Sequence, residues 1–499
     1  MTATAAAFQV PACQRQLFLD HEGVAQCEHL VPVLHRPDKR GAVIQPDRPW
    51  ESALQTRSAP AWDEEAQTYK IWMITSTTLP GVAGTTYAQS EDGVHWTKPV
   101  LGQMDVGGSS ENSFVTVDPQ LGWPANAIEN VVRDPDDGDP ARRYKGLGHC
   151  FGREPLVSRD GIHWRRLDVP TLRSEDESNL SYDRSTRRFI ATLKRGGPWG
   201  RSVYLATSPD FETWGEPELV FHADETDQRL GRERIGRRLA DASLRRPEYD
   251  TPEHYNVDVY NMGVFRYEGL YVGLPSMFHQ TGKVTRDWKG FDDMSLPPHV
   301  QEQVRQHGDW TGFHHVQLAC SRNLRHWTRV GDRQPFIDAS PLGVGAYDLQ
   351  CIIGPSCPVP RRDELWFYYT GARHYAYVSA DDVRHAAVCL AVLRRDGFVS
   401  LDAGDREGVL TTRPFALSGD RRHVNADLSH GELRVAVLAG PGGEVAVSCP
   451  MRGDLLAGKV HWTGGGLAAL VGRTVSLRFR LRRGRLYSYW LEPTKEMPA

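Results

Sequence analysis

Apolar and polar positions alternate with period two in many short runs of this chain. Examples are "YKIWMITS" at 69–76, "FIATLKR" at 189–195, "LYVGLPSMF" at 270–278 and "LWFYYTGA" at 365–372. Gly, Pro, Asp and Asn bound these runs, so the pattern predicts strands rather than helices. The runs recur in a fixed order: an apolar strand, a polar turn, a second strand rich in aromatic or β-branched residues, and a third strand that enters a Ser-turn-Trp word. The word reads "SEDGVHW" at 90–96, "SRDGIHW" at 158–164, "SPDFETW" at 208–214 and "SRNLRHW" at 321–327, with an echo lacking the tryptophan in "LRRDGFVSL" at 393–401. Four antiparallel strands repeated five times predict an all-β fold, a five-bladed β-propeller. The tryptophans of successive words are spaced by 68, 50 and 113 positions, so the loops differ greatly in size. Trp96, Trp164, Trp214 and Trp327 hold one repeat position and are expected to pack between blades.

The propeller is expected over residues 45–405, an extended Pro-rich arm over 1–44, and a small β-sandwich over 406–499, where alternating runs such as "ELRVAVLAG" and "VSLRFRLRRGRLYSYWLE" are joined by Gly turns. One insertion, "ADETDQRLGRERIGRRLADASLRR" at 223–246, has the acidic start and arginine-rich end that suit a helix dipole. It is expected to be a solvated surface helix or flexible loop, or else a lid beside a pocket.

Net charge is -4, with 59 basic residues spread along the chain and no concentrated basic face, which argues against a nucleic-acid partner. No stretch approaches the roughly 20 apolar residues that span a bilayer, so no membrane partner is expected and the chain reads as soluble and cytoplasmic. The eight cysteines, at 13, 27, 150, 320, 351, 357, 389 and 449, form no CxxC pair and are expected to be reduced and mostly buried.

The words "YAQSEDGVHWTKP", "VVRDPDDGDPARRYKG", "SRNLRHWTR", "LWFYYTGA" and "LRRDGFVSL", with the terminal "LRFRLRRGRLYSYWLE", resemble uncharacterised bacterial proteins related to glycoside hydrolase families 32, 43 and 68. The resemblance implies a five-bladed propeller joined to a β-sandwich and an activity on carbohydrates. Related propellers include hydrolases, transfructosylases and phosphorylases, so the fold alone does not select a reaction.

Hydrolysis needs two carboxyl groups flanking the scissile bond. In a propeller they converge at the axial ends of the innermost strands, which directs the search to acids just before each unit's first strand. That search yields Glu51, Glu111 beside Asn112, Asp176, Asp258 and Asp348, one for each blade. The resemblance implies Glu51 as base or nucleophile, Asp176 as orienting group and Asp258 or Asp348 as proton donor. Family 32 carries an Asn-Asp-Pro nucleophile word and a Glu-Cys acid word, and both are absent here. Arg133-Asp134-Pro135 matches the spelling of that family's stabilising triplet but sits at the outer turn of its unit, as Asp183 does, and Arg133 reaches the funnel only if the register shifts by a few residues. Sugar-binding candidates are Trp50, Asn112, Asn179, Arg195, Trp199, His254, Tyr260 and Gln350, with Tyr347 and His374. No cofactor is required; the resemblance allows Ca2+ near the axis, whereas the Asp-rich run 134–139 reads as turn chemistry.

The reading is therefore a glycoside hydrolase acting on a small glycoside or oligosaccharide, its oligomeric state open. The alternatives are a non-catalytic carbohydrate-binding propeller, or a glycosyl transferase or phosphorylase, for which Arg133, Arg195 and Arg201 would form the basic pocket.

Overall fold

The computed structural model describes residues 8–79, 82–118, 128–284, 302, 304–306, 308–343, 345–374, 384–440, 443–464 and 467–493. Regular structure among them is overwhelmingly β, in four sheets of 15, 11, 5 and 4 strands, the 11-stranded sheet forming a smaller body and the other three a larger one. No helix there is long and apolar enough to cross a membrane.

The larger body is built from five antiparallel runs. The first comprises Glu51–Gln55, Thr68–Thr77 and Ala83–Ser90, with Phe114–Val117 on its outer edge. The second comprises Ile128–Arg133, Tyr144–Gly148, Gly152–Ser158 and His163–Arg166. The third is Ser178–Asp183, Arg188–Gly197, Gly200–Ser208 and Glu218–Phe221. In the fourth, Asn256–Tyr267 pairs Leu270–Val284, which carries Asp309–Val316 and Leu318–Ser321 on its other edge, followed by Thr328–Val330. The fifth is Cys351–Ile353, Glu364–Ala372 and Ala386–Arg394, completed by Asp38–Ile44 from the amino-terminal segment.

The repeated words act as identical corner braces. In the first run the Ser90 hydroxyl accepts from the Gly93 N–H at 2.8 Å, Asp92 accepts from the His95 N–H at 2.8 Å, and the Trp96 indole donates to the Gly93 carbonyl at 3.0 Å. The same bonds recur at Ser158-Asp160-Trp164 and Ser208-Asp210-Trp214, and Asn323 replaces the aspartate before Trp327. The turn requires a left-handed residue, met by Gly93 and Gly161 at φ 82° and 80° but by Phe211 and Leu324 at 67° and 66°. Three of the tryptophans bridge neighbouring runs: Trp96 lies 6.0 Å from Tyr368, Trp164 6.2 Å from Trp72, and Trp327 6.4 Å from Phe221. Trp214 packs instead on Phe211 of its own word, at 5.5 Å.

The first strands of the five runs are stitched side to side by buried polar groups. Val131 donates to the Ser58 hydroxyl at 2.7 Å, and Asn130 to the Ser178 carbonyl at 3.0 Å. Asn261 donates to Asn179 Oδ1 at 3.0 Å and to the Gly354 carbonyl at 3.2 Å, while Asn179 reaches Ser356, whose hydroxyl donates to the Arg57 carbonyl. The circuit passes through all five runs and returns to the first, so these strands surround one axis.

The smaller body is an 11-stranded sheet dominated by Arg421–Leu438, Thr474–Arg482 and Gly484–Glu492. It has its own apolar core, including Leu428, Val435, Leu477 and Phe479. Two segments cross the boundaries read from sequence. The amino-terminal strands Val24–Glu28 and Val31–Leu34 pair in this smaller body, while Asp38–Ile44 belongs to the fifth run. Val399–Ala403, assigned by its word to the propeller, pairs with Val31–Leu34 and Gly484–Glu492. The reason lies in Asp396, which in place of a local brace accepts from Tyr267, Ser488 and Arg15, joining the fourth run to the smaller sheet.

The insertion forms the helix Glu225–Ala240, capped by Asp224 and Asp227 in a capping box. Its buried face carries Asp227, Arg234, Ile235 and Arg238, and a Cβ on Gly231 would lie 2.2 Å from Val257, so it is clamped onto the fourth run and is not a solvated helix. All eight cysteines are free, but only Cys320, Cys351 and Cys389 are buried; Cys13, Cys27 and Cys449 are exposed, against the expectation of mostly buried thiols.

Candidate functional site

At the ends of the first strands, immediately toward their starts from the polar ring, charged side chains from several runs converge. Arg57 from the first run pairs with Glu177 through both guanidinium edges, one of them at 2.5 Å, and both side chains are 4 % exposed. Burial works against the Arg57 charge, but Glu177 overcomes it and raises the guanidinium above its ordinary value. From the second run Glu129 pairs with Arg153 at 2.7 Å. Here burial wins: desolvation, helped by repulsion from Glu177, raises the Glu129 carboxyl to about 7 despite the adjoining guanidinium.

The third run contributes Asp176 and Lys194. Lys194 is buried, stands 3.9 Å from the Tyr260 ring centre and pairs with Asp176. Asp176 is the open member, with its side chain 49 % exposed. Burial opposes its ionisation, yet Lys194 and Arg201 together hold the carboxyl below its ordinary value. The fourth run places Asp258 against Arg201, whose backbone N–H donates at 3.2 Å and whose guanidinium donates at 3.3 Å. Desolvation raises the Asp258 carboxyl even so. His314 closes the group, 4.6 Å from Tyr260 and 3.0 Å from the Cys351 sulfur, and burial keeps its imidazole well below its ordinary value, hence neutral.

Of the carboxylates read from sequence, Asp176 and Asp258 enter this cluster. Glu51 does not: it is fully buried six residues up its strand from Arg57, where Oε2 accepts from the Asp47 N–H at 2.9 Å and from Lys98 at 2.7 Å. Asp348 points into the fifth run, accepting from Tyr369 and Lys39, each at 2.7 Å. Glu111 is exposed on a loop, and Asn112 holds the same loop through the Met104 carbonyl at 2.7 Å. Trp50 packs on Phe114 at 5.4 Å. Arg133 reaches outward to Glu64, and Asp134 caps its turn through the Asp136 N–H at 3.0 Å.

Tyr260 belongs to the cluster and Asn179 to the ring beneath it. Gln350 is buried beside it, donating to Glu248 and the Gly312 carbonyl, each at 2.8 Å. Arg195 bonds the Arg173 carbonyl at 2.8 Å, and His254 ends a short turn partly exposed. Trp199 is exposed on the hairpin that caps Asp258. Tyr347 lies under the Arg373 guanidinium at 4.2 Å, and His374 stacks on His385 at 4.9 Å.

Sequence reasoning missed Arg57, Glu129, Arg153, Glu177 and Lys194. One of these was a single residue away, since Glu177 adjoins Asp176; Glu129 is the second residue of the first strand of the second run, Ile128–Arg133, well beyond Glu111 on the preceding loop. Among the described residues, no group of three or more His, Cys, Asp or Glu side chains is placed to hold a metal ion.

No protein-family model and no curated protein sequence matches the chain. Solved structures do resemble it. A structure described as a glycoside hydrolase of the GH130 family of mannoside phosphorylases, targeting β-1,2-mannosidic linkages in Candida mannan, is 13% identical with a TM-score of 0.40, covering 73% of this chain and 96% of the other. The GH32 β-fructofuranosidase BmSUC1 of Bombyx mori is 9% identical with a TM-score of 0.37, covering 93% and 95%. A family 43 arabinoxylan arabinofuranohydrolase of Bacillus subtilis is 9% identical with a TM-score of 0.33, covering 91% and 99%.

Proposed function

We propose that the five runs are the blades of a five-bladed β-propeller, that the smaller body is a β-sandwich, and that the axial cluster cleaves glycosidic bonds. The observation that carries this reading is the convergence of Glu129, Asp176, Glu177 and Asp258 from the second, third and fourth runs among largely buried cations, in surroundings that push Glu129 up to about 7 and hold Asp176 below its ordinary value. That division assigns acid and base. Glu129 keeps a proton near neutrality and is the donor to the leaving oxygen; the open, ionised Asp176 is the nucleophile or the base on water. Asp258, fixed by Arg201, and Glu177, fixed by Arg57, position the sugar rather than exchange protons with it.

A panel of nitrophenyl glycosides tests the reading. Asp176→Asn is expected to lose at least a thousandfold in kcat on every substrate turned over. Glu129→Gln is expected to lose as much on glycosides with poor leaving groups and far less on dinitrophenyl glycosides, which depart without a proton. A non-catalytic carbohydrate-binding reading draws on one observation, that all four carboxylates have a cationic partner. Wild-type inertness across the panel, or full activity in both variants, would favour it and overturn hydrolysis.

A further inference from the structure

The cluster is small, but aromatic side chains stand on the hairpins around it. Among the described residues, the exposed large apolar side chains include three aromatics: Phe151 at 66 %, Trp199 at 36 % and Trp310 at 44 %. All three lie on the face where the first strands start. In the second run Ile128 pairs with Gly148, and the turn that follows carries Phe151. In the third run the pairing of the second and third strands continues from Leu193, opposite Ser178, to Gly197 and Gly200, which lifts Trp199 about 13 Å beyond the first strand at ~3.3 Å per residue. In the fourth run Asn256 pairs with Gln280, and the ladder runs on to Lys283 and Trp310.

Each platform is tied to a charged group below it. Two residues after Phe151, Arg153 binds Glu129. Two residues after Trp199, Arg201 binds Asp258, while the Trp199 carbonyl accepts from Asn256 at 3.0 Å. Between them Gly200, at φ +107°, passes so close that a Cβ there would sit 2.9 Å from the Asp258 carboxylate. Trp310 lies between Asp309 and Thr311, whose hydroxyl donates to Glu248, and Lys283 stands 5.7 Å over its ring.

An apolar ring left in water at the end of a strand ladder marks a contact surface. The rings stand on separate hairpins with charged and polar groups between them, so they do not make the continuous groove that an acyl chain or an amphipathic helix fills. Separate flat faces with polar intervals suit a chain whose units each present a C–H face and a rim of hydroxyls. We propose that Phe151, Trp199 and Trp310 are the outer subsites of the axial site, and that its substrate is a neutral oligosaccharide extending out of the funnel, of which a monoglycoside fills only the axial part. This rests on the reading that the axial cluster receives carbohydrate.

The test is binding to an immobilised series of neutral mannan, galactan, arabinan, xylan and fructan fragments of one to six units. Wild-type protein and the triple variant Phe151→Ala, Trp199→Ala, Trp310→Ala are compared, with Tm measured to establish that the triple variant folds. The wild type is expected to retain chains of three or more units of one series at least tenfold more tightly than the monosaccharide, and the triple variant to lose that increment. Equal retention of all lengths, no retention at all, or an unchanged profile in a triple variant with wild-type Tm would overturn the subsites. Tighter capture of an apolar dye than of any oligosaccharide, abolished in the triple variant, would overturn them in favour of an apolar partner. Hydrolysis of nitrophenyl glycosides without chain-length dependence would leave the proposed activity standing and remove only the subsites, whereas chain retention without hydrolysis would do the reverse.

Discussion

Glu129 shows how burial and charge compete at a single residue. Its guanidinium partner is in contact, but desolvation dominates and the carboxyl remains protonated to about 7, against an ordinary value of 4.5. Two outcomes follow. Activity is expected to fall above pH 7, as the donor loses its proton. Because the folded state holds that proton more tightly than the unfolded chain, Glu129 contributes stability that is full below pH 4.5 and lost as pH rises through 7. The Tm of wild type relative to Glu129→Gln should therefore decline between pH 4.5 and 8 in a thermal melt series. Arg57 and Glu177 present the opposite balance, two buried charges satisfied by each other. Arg57→Met strands a buried carboxylate and is expected to cost about 3–5 kcal/mol in chemical denaturation, whereas Arg57→Met with Glu177→Leu should recover most of it. A double variant as unstable as the single one would show that the pair does more than neutralise itself.

At the scale of the element, the repeated word is a brace whose demands differ from run to run. Gly161 sits at φ +80° with Trp72 so close that a Cβ would lie 2.3 Å from the indole. Gly102 has a similar φ of +67° and nothing within 4 Å. Gly102→Ala is expected to cost only the left-handed penalty, about 1 kcal/mol, and Gly161→Ala about 3 kcal/mol or more by adding a clash with a neighbouring run. Equal losses in denaturant unfolding would show that the contact relaxes freely. Much of this element was legible beforehand. Ser, Asp or Asn, a turn and Trp at constant spacing report a local hydrogen-bond pattern, and local patterns are written in local sequence. Glu51 and Asp348 lie outside the axial cluster for the complementary reason. Glu51 opens its first strand and Asp348 stands just before one, but Lys98 and Lys39, 47 and 309 residues away in sequence, draw them into buried pairs.

For the molecule as a whole, closure is made by contacts distant in sequence. Asn179 donates to Ser356 and accepts from Asn261, and is 1 % exposed. Asn179→Ala leaves several of these groups without partners and is expected to lower stability by about 2–4 kcal/mol. The companion expectation is loss of a single cooperative calorimetric transition; an unchanged melt would mean that the ring does not couple the runs. Asp38–Ile44 completes the fifth run, so a chain beginning at residue 45 would expose the edge of Ala386–Arg394 and is expected to aggregate on refolding, which light scattering would register. Alternation of apolar and polar residues dictated strands, and the recurring word dictated their grouping, because both follow from the two-residue period and from turns that bond within themselves. Which carboxylates meet at the axis was decided only by closure of the five runs. A one-residue difference in where a first strand begins moves a side chain from the funnel to the sheet face, and that register is set by partners such as Ser58 with Val131 and Asn179 with Asn261, which come together only when the ring is complete.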